Sequence, residues 1–372
     1  MINSPDNTVG SPRTYFDRER MTYYPLESRK NKVSIVEACV NPDTDPVPIS
    51  APLQKRTSAI ADQMVRARDR GASVMCAFGA HTIKGGMGHL LGDLVRQGWI
   101  THLATNGAGV IHDWEFSYLG QSSEDVRANV QTGTFGTWEE TGLYINLALA
   151  VGAYAGLGYG ESIGAMIVHQ GLTIPERSEL EAVAAASDVP IEKRASALDL
   201  LGLASCIPET SIEIDHPYAA YSAQAIAYEA NVPFTSHPMF GHDIIYTHKA
   251  NRGAVVGRTA ERDFLSYVDS VEHLEGGVYL SVGSAVMSPM IFEKSLSMVR
   301  NCGVRVENCA IHVVDLQEES WDWSKGEPPS DNPAYYLRFM KTFTRMGCNA
   351  SYLCGDNRAF FVSLYRELEK RS

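Results

Sequence analysis

Apolar residues along this chain gather in short runs, and between the runs they recur at helical spacing. Residues 73–78 (Ser-Val-Met-Cys-Ala-Phe) read as a buried strand that ends at Gly79, because an uninterrupted apolar run of that length suits a strand covered on both faces. Leu90, Leu91, Leu94 and Val95 then mark one face of a helix that stops near Gly98. The same alternation continues, with strands at 100–105, 232–237, 276–283, 309–315 and 350–354. Helices are expected at 60–70, 219–230, 292–300 and 358–370. Strands alternating with helices predict an α/β fold, a Rossmann-like doubly wound and mostly parallel sheet.

Other stretches fit around that frame. Residues 1–50 carry Pro5, Pro12, Pro25, Pro42, Pro46 and Pro48 and read as an irregular N-terminal arm lying over the body or over a partner subunit, with 51–372 as a single domain. Residues 143–168 are apolar enough to raise a membrane question, but their Gly and Ala content, with Asn146 and Glu161, predicts a closely packed buried helix. Ser122 to Asp125 read as a helix start with acids in its first turn. A long polar loop is expected at 317–333.

Composition narrows the function. With 372 residues and a net charge of −12, the chain lacks the basic excess that a phosphate backbone rewards, so nucleic acid is not an expected partner. The seven cysteines include no C-x-x-C pair and read as reduced thiols, and the polar start lacks an apolar signal region; both point to the cytoplasm.

Candidate chemistry stands at the strand ends. Asn106-Gly107-Ala108-Gly109 follows a strand with residues that permit close backbone approach, the setting in which open α/β sheets bind ligands. Gly86 and Gly88 lack the third glycine of a dinucleotide fingerprint. Glu139 and Glu140 follow an aromatic and glycine-rich stretch, Asp243 follows Gly241-His242, and Asp315 ends a strand; each acid suits a cationic ligand. His237, His242 and His248 place no pair on one helix face, so no metal is expected.

Taken in order, Thr105-Asn106-Gly107-Ala108-Gly109-Val110 with His112-Asp113, Phe135-Gly136 with Glu139-Glu140, Gly241-His242-Asp243, and Gly276-Gly277 with Val282-Gly283-Ser284 resemble the deoxyhypusine synthase family over about 73–367. The resemblance implies an NAD-dependent transferase, assembled as a homotetramer, that moves an aminobutyl group from spermidine through a lysine imine to a protein lysine or a small diamine. It implies NAD contacts at Thr105, Asn106, Gly107, Ala108, Gly109, Gly283, Ser284 and Asp356. Polyamine contacts would come from Asp243, with Glu139, Glu140 and Asp315 as further acids, and Lys341 would be the imine-forming lysine. Ser288 stands where the family carries its catalytic histidine, which leaves His112 or His242 to act as base. The same scaffold could serve agmatine or another guanidino compound, or bind NAD without catalysis.

Overall fold

The structure is a computed structural model and describes residues 14–43, 45–207, 209–318 and 321–372. Six strands form its central sheet: β1 (Val74–Phe78), β2 (His102–Thr105), β3 (Phe234–Ser236), β4 (Val278–Val282), β5 (Ala310–Asp315) and β6 (Asn349–Cys354). They lie in the spatial order β3-β2-β1-β4-β5-β6, and every neighbouring pair is parallel. This is the Rossmann order, with its topological switch between β1 and β4.

Period-two alternation divides the strands between two cores. Val74, Cys76 and Phe78 of β1 join Val278, Leu280 and Val282 of β4 in one, while Met75 and Ala77 join Tyr279, Ile311 and Val313 in the other. The helices that bear on the sheet and the site are α1 (Ala51–Asp69), α2 (Gly88–Arg96), α3 (Gly107–Leu119), α4 (Glu139–Ala155), α5 (Tyr159–Val168), α6 (Ala223–Glu229), α7 (Gly253–Glu272), α8 (Met287–Asn301), α9 (Arg338–Thr344) and α10 (Asn357–Glu369). Buried faces of α1, α2 and α10 fill the first core, and α8, α9 and the second half of α7 fill the second.

Three expectations change. Asn106–Gly109 is the first turn of α3 rather than a loop, because the Asn106 side chain caps the helix by accepting from Gly109 N at 2.9 Å. The apolar stretch 143–168 is the end of α4 plus α5, bent by 107° where a glycine in the left-handed region, Gly156, ends α4. Among the described residues no single helix is long and apolar enough to cross a membrane. Ser122 and Glu124 belong to a short strand, Gln121–Glu124, and the helix start shifts to Asp125, which caps Ala128 N. The strand forms because a segment of the arm, Asn31–Ser34, pairs with it antiparallel, a contact that local propensity does not contain.

The arm is thus stitched to the body. Tyr24 exchanges backbone bonds with Thr137 and Glu139, and Leu26 N donates to the Glu140 carboxylate at 2.6 Å. Arg18 reaches the carbonyls of Tyr246, His248 and Asn251.

A second long-range tie fixes α3 against α6. Asp113, 1% exposed, accepts from Ser222 Oγ (2.5 Å), Ala223 N (3.0 Å) and Gln224 Nε2 (3.0 Å), so a distant carboxylate caps α6. We expect Asp113→Ala to cost about 2–4 kcal/mol in urea unfolding, since it strands several buried donors. Asp113→Asn keeps acceptor oxygen and should cost less. A loss below about 1 kcal/mol for the alanine variant would remove this tie from the account.

Candidate functional site

One face of α3 forms the floor of a cleft of about 200 Å³. Ala108, Ile111, His112 and Glu115 all line it, and their i, i+3, i+4, i+7 spacing is that of a single helical stripe. Arg29 and Lys84 stand on its walls, and the loop after β3 brings His242 and Asp243 to it. Lys84 arrives on a short helix, Ala80–Lys84, that directly follows β1.

At one end a buried ion pair organises the side chains. The Arg29 guanidinium grips the Glu115 carboxylate through two parallel bonds, 2.8 Å and 2.6 Å, with both side chains 1% exposed. Burial alone would raise the Glu115 carboxyl, but the charge and hydrogen bonds of Arg29 hold it below its ordinary value. Glu115 therefore stays an anion that can only accept. It takes bonds from Thr141 Oγ1 (3.0 Å) and Ser122 Oγ (2.5 Å).

That settles the tautomer of His112. Ser122 has one hydroxyl proton, committed to Glu115, so its oxygen must accept from His112 Nδ1 at 2.7 Å. The proton sits on Nδ1, and Nε2 carries a lone pair. Burial, helped by the nearby Lys84 and Arg29 and opposed by Glu115, lowers the imidazole to about 4, so the ring is neutral at pH 7. Ser123, between the two inward residues Ser122 and Glu124, lines the cleft with φ at 74°, a left-handed conformation rare outside glycine.

At the other end Asp243 presses on the amino terminus of α3. A Cβ on Gly107 would lie 2.3 Å from Asp243 Oδ2, so glycine there leaves the carboxylate its place. The Asp243 carboxylate is buried with the Tyr246 hydroxyl bonding it and has no ion pair among the described residues. Burial raises the Asp243 carboxyl to about 6, with His242 and Tyr246 drawing it partway down.

The sequence-derived site residues divide. Ala108, His112, His242 and Asp243 come together in this cleft. Thr105 instead bonds the Phe78 carbonyl at 2.9 Å, and Gly109 makes room for its side chain. The carboxylate of Asp243 stands beside Gly107, so the start of α3 already faces an anion where NAD contacts had been expected. Gly283 and Ser284 lie at the end of β4, Asp315 at the end of β5, and Asp356 caps α10 through Arg358 N and Ala359 N. Glu140 anchors the arm, and Glu139 pairs with His248 at 3.5 Å. Ser288 is fully buried, bonded to the Tyr279 hydroxyl at 2.8 Å. Lys341 lies on α9, its ammonium 3.6 Å from the centre of the Tyr335 ring, and is not among the residues lining the cleft. The reading of 106–109 as loop hid Glu115, which helical spacing from His112 would have found. Arg29 and Lys84 had no local signal.

The raised Asp243 carboxyl has a consequence for stability. Its folded value, about 6 against an ordinary 3.8, means that ionisation opposes folding above pH 6, and that this penalty fades as pH falls toward the ordinary value. Asp243→Asn should therefore be more stable than the parent by on the order of 2 kcal/mol near pH 8, with the gap closing toward about pH 4. Urea unfolding at both pH values checks this; an asparagine variant less stable at the higher pH would contradict the burial assigned to the carboxylate.

No protein-family model matches the sequence, and no curated protein matches it either. Among solved structures, it is similar to the cyanobacterial arginine dihydrolase ArgZ (13% identity, TM-score 0.40, 86% of this chain and 33% of that one). It is similar to AgrE in complex with ornithine and NAD+ (13%, 0.42, 88% and 34%). A candidate deoxyhypusine synthase from Entamoeba histolytica is also similar (7%, 0.39, 86% and 90%). The chain spans about a third of the length of the first two. All three TM-scores lie below 0.5, so the fold assignment rests on the order and direction of the chain's own strands.

Proposed function

We propose that the protein is an enzyme that binds a small amine-bearing molecule at Asp243 and removes a proton from it with His112. The observation that carries this reading is the Glu115–Ser122–His112 chain, which fixes the imidazole in the tautomer whose free nitrogen is a base. Asp243 supplies a counter-charge for an ammonium or guanidinium in the same cleft. Partial burial strengthens that attraction relative to water.

NAD is proposed as the cofactor, held by the second half of the sheet. Gly283, at φ 58°, turns β4 toward α8, and the Asp315 carboxylate ends β5 half-buried; a strand, glycine turn, helix, strand and acid in that order suit one nucleotide half. Gly283, Ser284 and Asp315 would hold the group, and it would supply hydride acceptance when bound. The loop after β1 offers less room, since a Cβ on Gly79 would lie 2.1 Å from the Gly283 carbonyl oxygen. The chain's own task is then to orient the amine, to shed water from the cleft and to take the proton at His112 Nε2.

This reading is narrower than aminobutyl transfer. A covalent step at Lys341 needs that amine in the cleft, and within one chain it lies against Tyr335. Spermidine, agmatine and simpler amines remain the substrates to try.

Turnover of an amine panel with NAD, followed by nicotinamide absorbance, tests the proposal. His112→Gln should lower kcat by about 10²–10³-fold with little change in melting temperature, and Ser122→Ala should lower it less. Because Asp243 titrates near 6, kcat/KM should fall as pH drops below that value. An unchanged rate in the glutamine variant would defeat the assignment.

A further inference from the structure

The charges lining the cleft do not cancel within the protein. Arg29 and Glu115 neutralise each other. Glu124 accepts from Asn129 Nδ2 at 2.6 Å and from Gly136 N at 3.3 Å. Glu124 keeps its charge with both oxygens hydrogen-bonded, and two further charged groups have no ion pair among the described residues. Asp243 has the Tyr246 hydroxyl beside its carboxylate but no cation, and Lys84, half-buried, has no ion pair or hydrogen bond among the described residues. They belong to different ends. Asp243 abuts Gly107 at the start of α3, whereas the Lys84 charge acts on His112.

We propose that the substrate is a zwitterion, a chain with an amino or guanidino group at one end and a carboxylate at the other, and that Lys84 binds its carboxylate while Asp243 binds its cationic end. The inference rests on the amine-binding reading of the same cleft and adds the second anchor. An all-cationic polyamine would place a positive charge beside Lys84, and at the effective dielectric of a partly buried site that repulsion is worth several-fold to many-fold in affinity. The span also suits a short chain. The floor of the cleft from Gly107 to His112 rises about 7.5 Å, and a probe of about five carbons matches that length of floor. Lys84 is then the residue that separates amino acids from diamines.

Calorimetric titration of the full chain with 5-aminopentanoate, 1,5-diaminopentane, pentylamine and pentanoate tests the proposal. We expect 5-aminopentanoate to bind at least about tenfold tighter than the other three. Lys84→Gln should erase that advantage and leave pentylamine binding unchanged, and Lys84→Arg should restore part of it. A diamine that binds tighter than the zwitterion, a glutamine variant with undiminished preference, or no binding by any of the four at millimolar concentration would overturn the inference. Asp243→Asn separates the two levels. If it leaves pentylamine binding intact, the amine-binding reading itself fails; if it abolishes that binding while Lys84→Gln changes nothing, the loss is confined to the carboxylate anchor.

Discussion

The pairing of Arg29 with Glu115 is the interaction on which the site depends. Removing two charges from water costs several kcal/mol each, and their mutual attraction offsets that only when geometry and additional bonds are good. Here the bonds are parallel and short, and Ser122 and Thr141 occupy remaining acceptor positions on the carboxylate. The pair is weak grounds for overall stability, since an apolar pair of similar volume could serve as well. Its effect is on arrangement. It docks the arm onto α3, keeps Glu115 ionised, and through Ser122 determines which nitrogen of His112 holds the proton. An arm that looks peripheral in the sequence is therefore part of the site.

Much of the frame was legible because it is written in local patterns. β1 and β4 are each five residues buried on both faces, and an uninterrupted apolar run has few other uses. α2 and α10 carry apolar stripes bounded by recognisable ends. The order of the strands was not legible, since nothing local tells β4 to lie beside β1 rather than beside β3. The ribbon of Asn31–Ser34 with Gln121–Glu124 was likewise hidden. Its residues acquire strand conformation from a partner about ninety positions away, and the acids near it read as a helix start.

The site was legible in part for the same reason. His112, His242 and Asp243 stand near glycines at strand ends, where ligand loops are expected, and they do share a cleft. The glycines themselves proved to have packing duties. Gly107 admits Asp243 and Gly109 admits Thr105, so small residues that looked like a cradle for a cofactor are occupied by the protein's own side chains. Lys341 was picked by its place before the last strand, a position that says nothing about which side of the sheet its amine reaches. Arg29, Lys84 and Glu115 come from three separate segments, and only the folded chain puts them on one surface.

Several departures from the ordinary rules of folding share the cleft. Ser123 adopts a left-handed conformation without being glycine. Asp243 is largely buried without a counter-ion, and burial raises its carboxyl. His112 is held neutral beside two cations. Each feature alone is a modest cost that a fold could avoid by substitution, and scattered singly over the molecule they would mean little. Gathered on one stripe of α3 and the loops facing it, they describe a surface in which charge and conformation are held ready for something the chain does not itself contain. At the switch point between β1 and β4, by contrast, Gly79 and Gly283 pack closely, and Asn357 Nδ2 bonds Thr82 Oγ1 at 3.2 Å. The two halves of the carboxyl edge therefore have different work, with close-packed loops holding the frame at its centre and the unresolved charges of Asp243 and Lys84 set to one side, beyond β2 and β3, where a substrate can complete them.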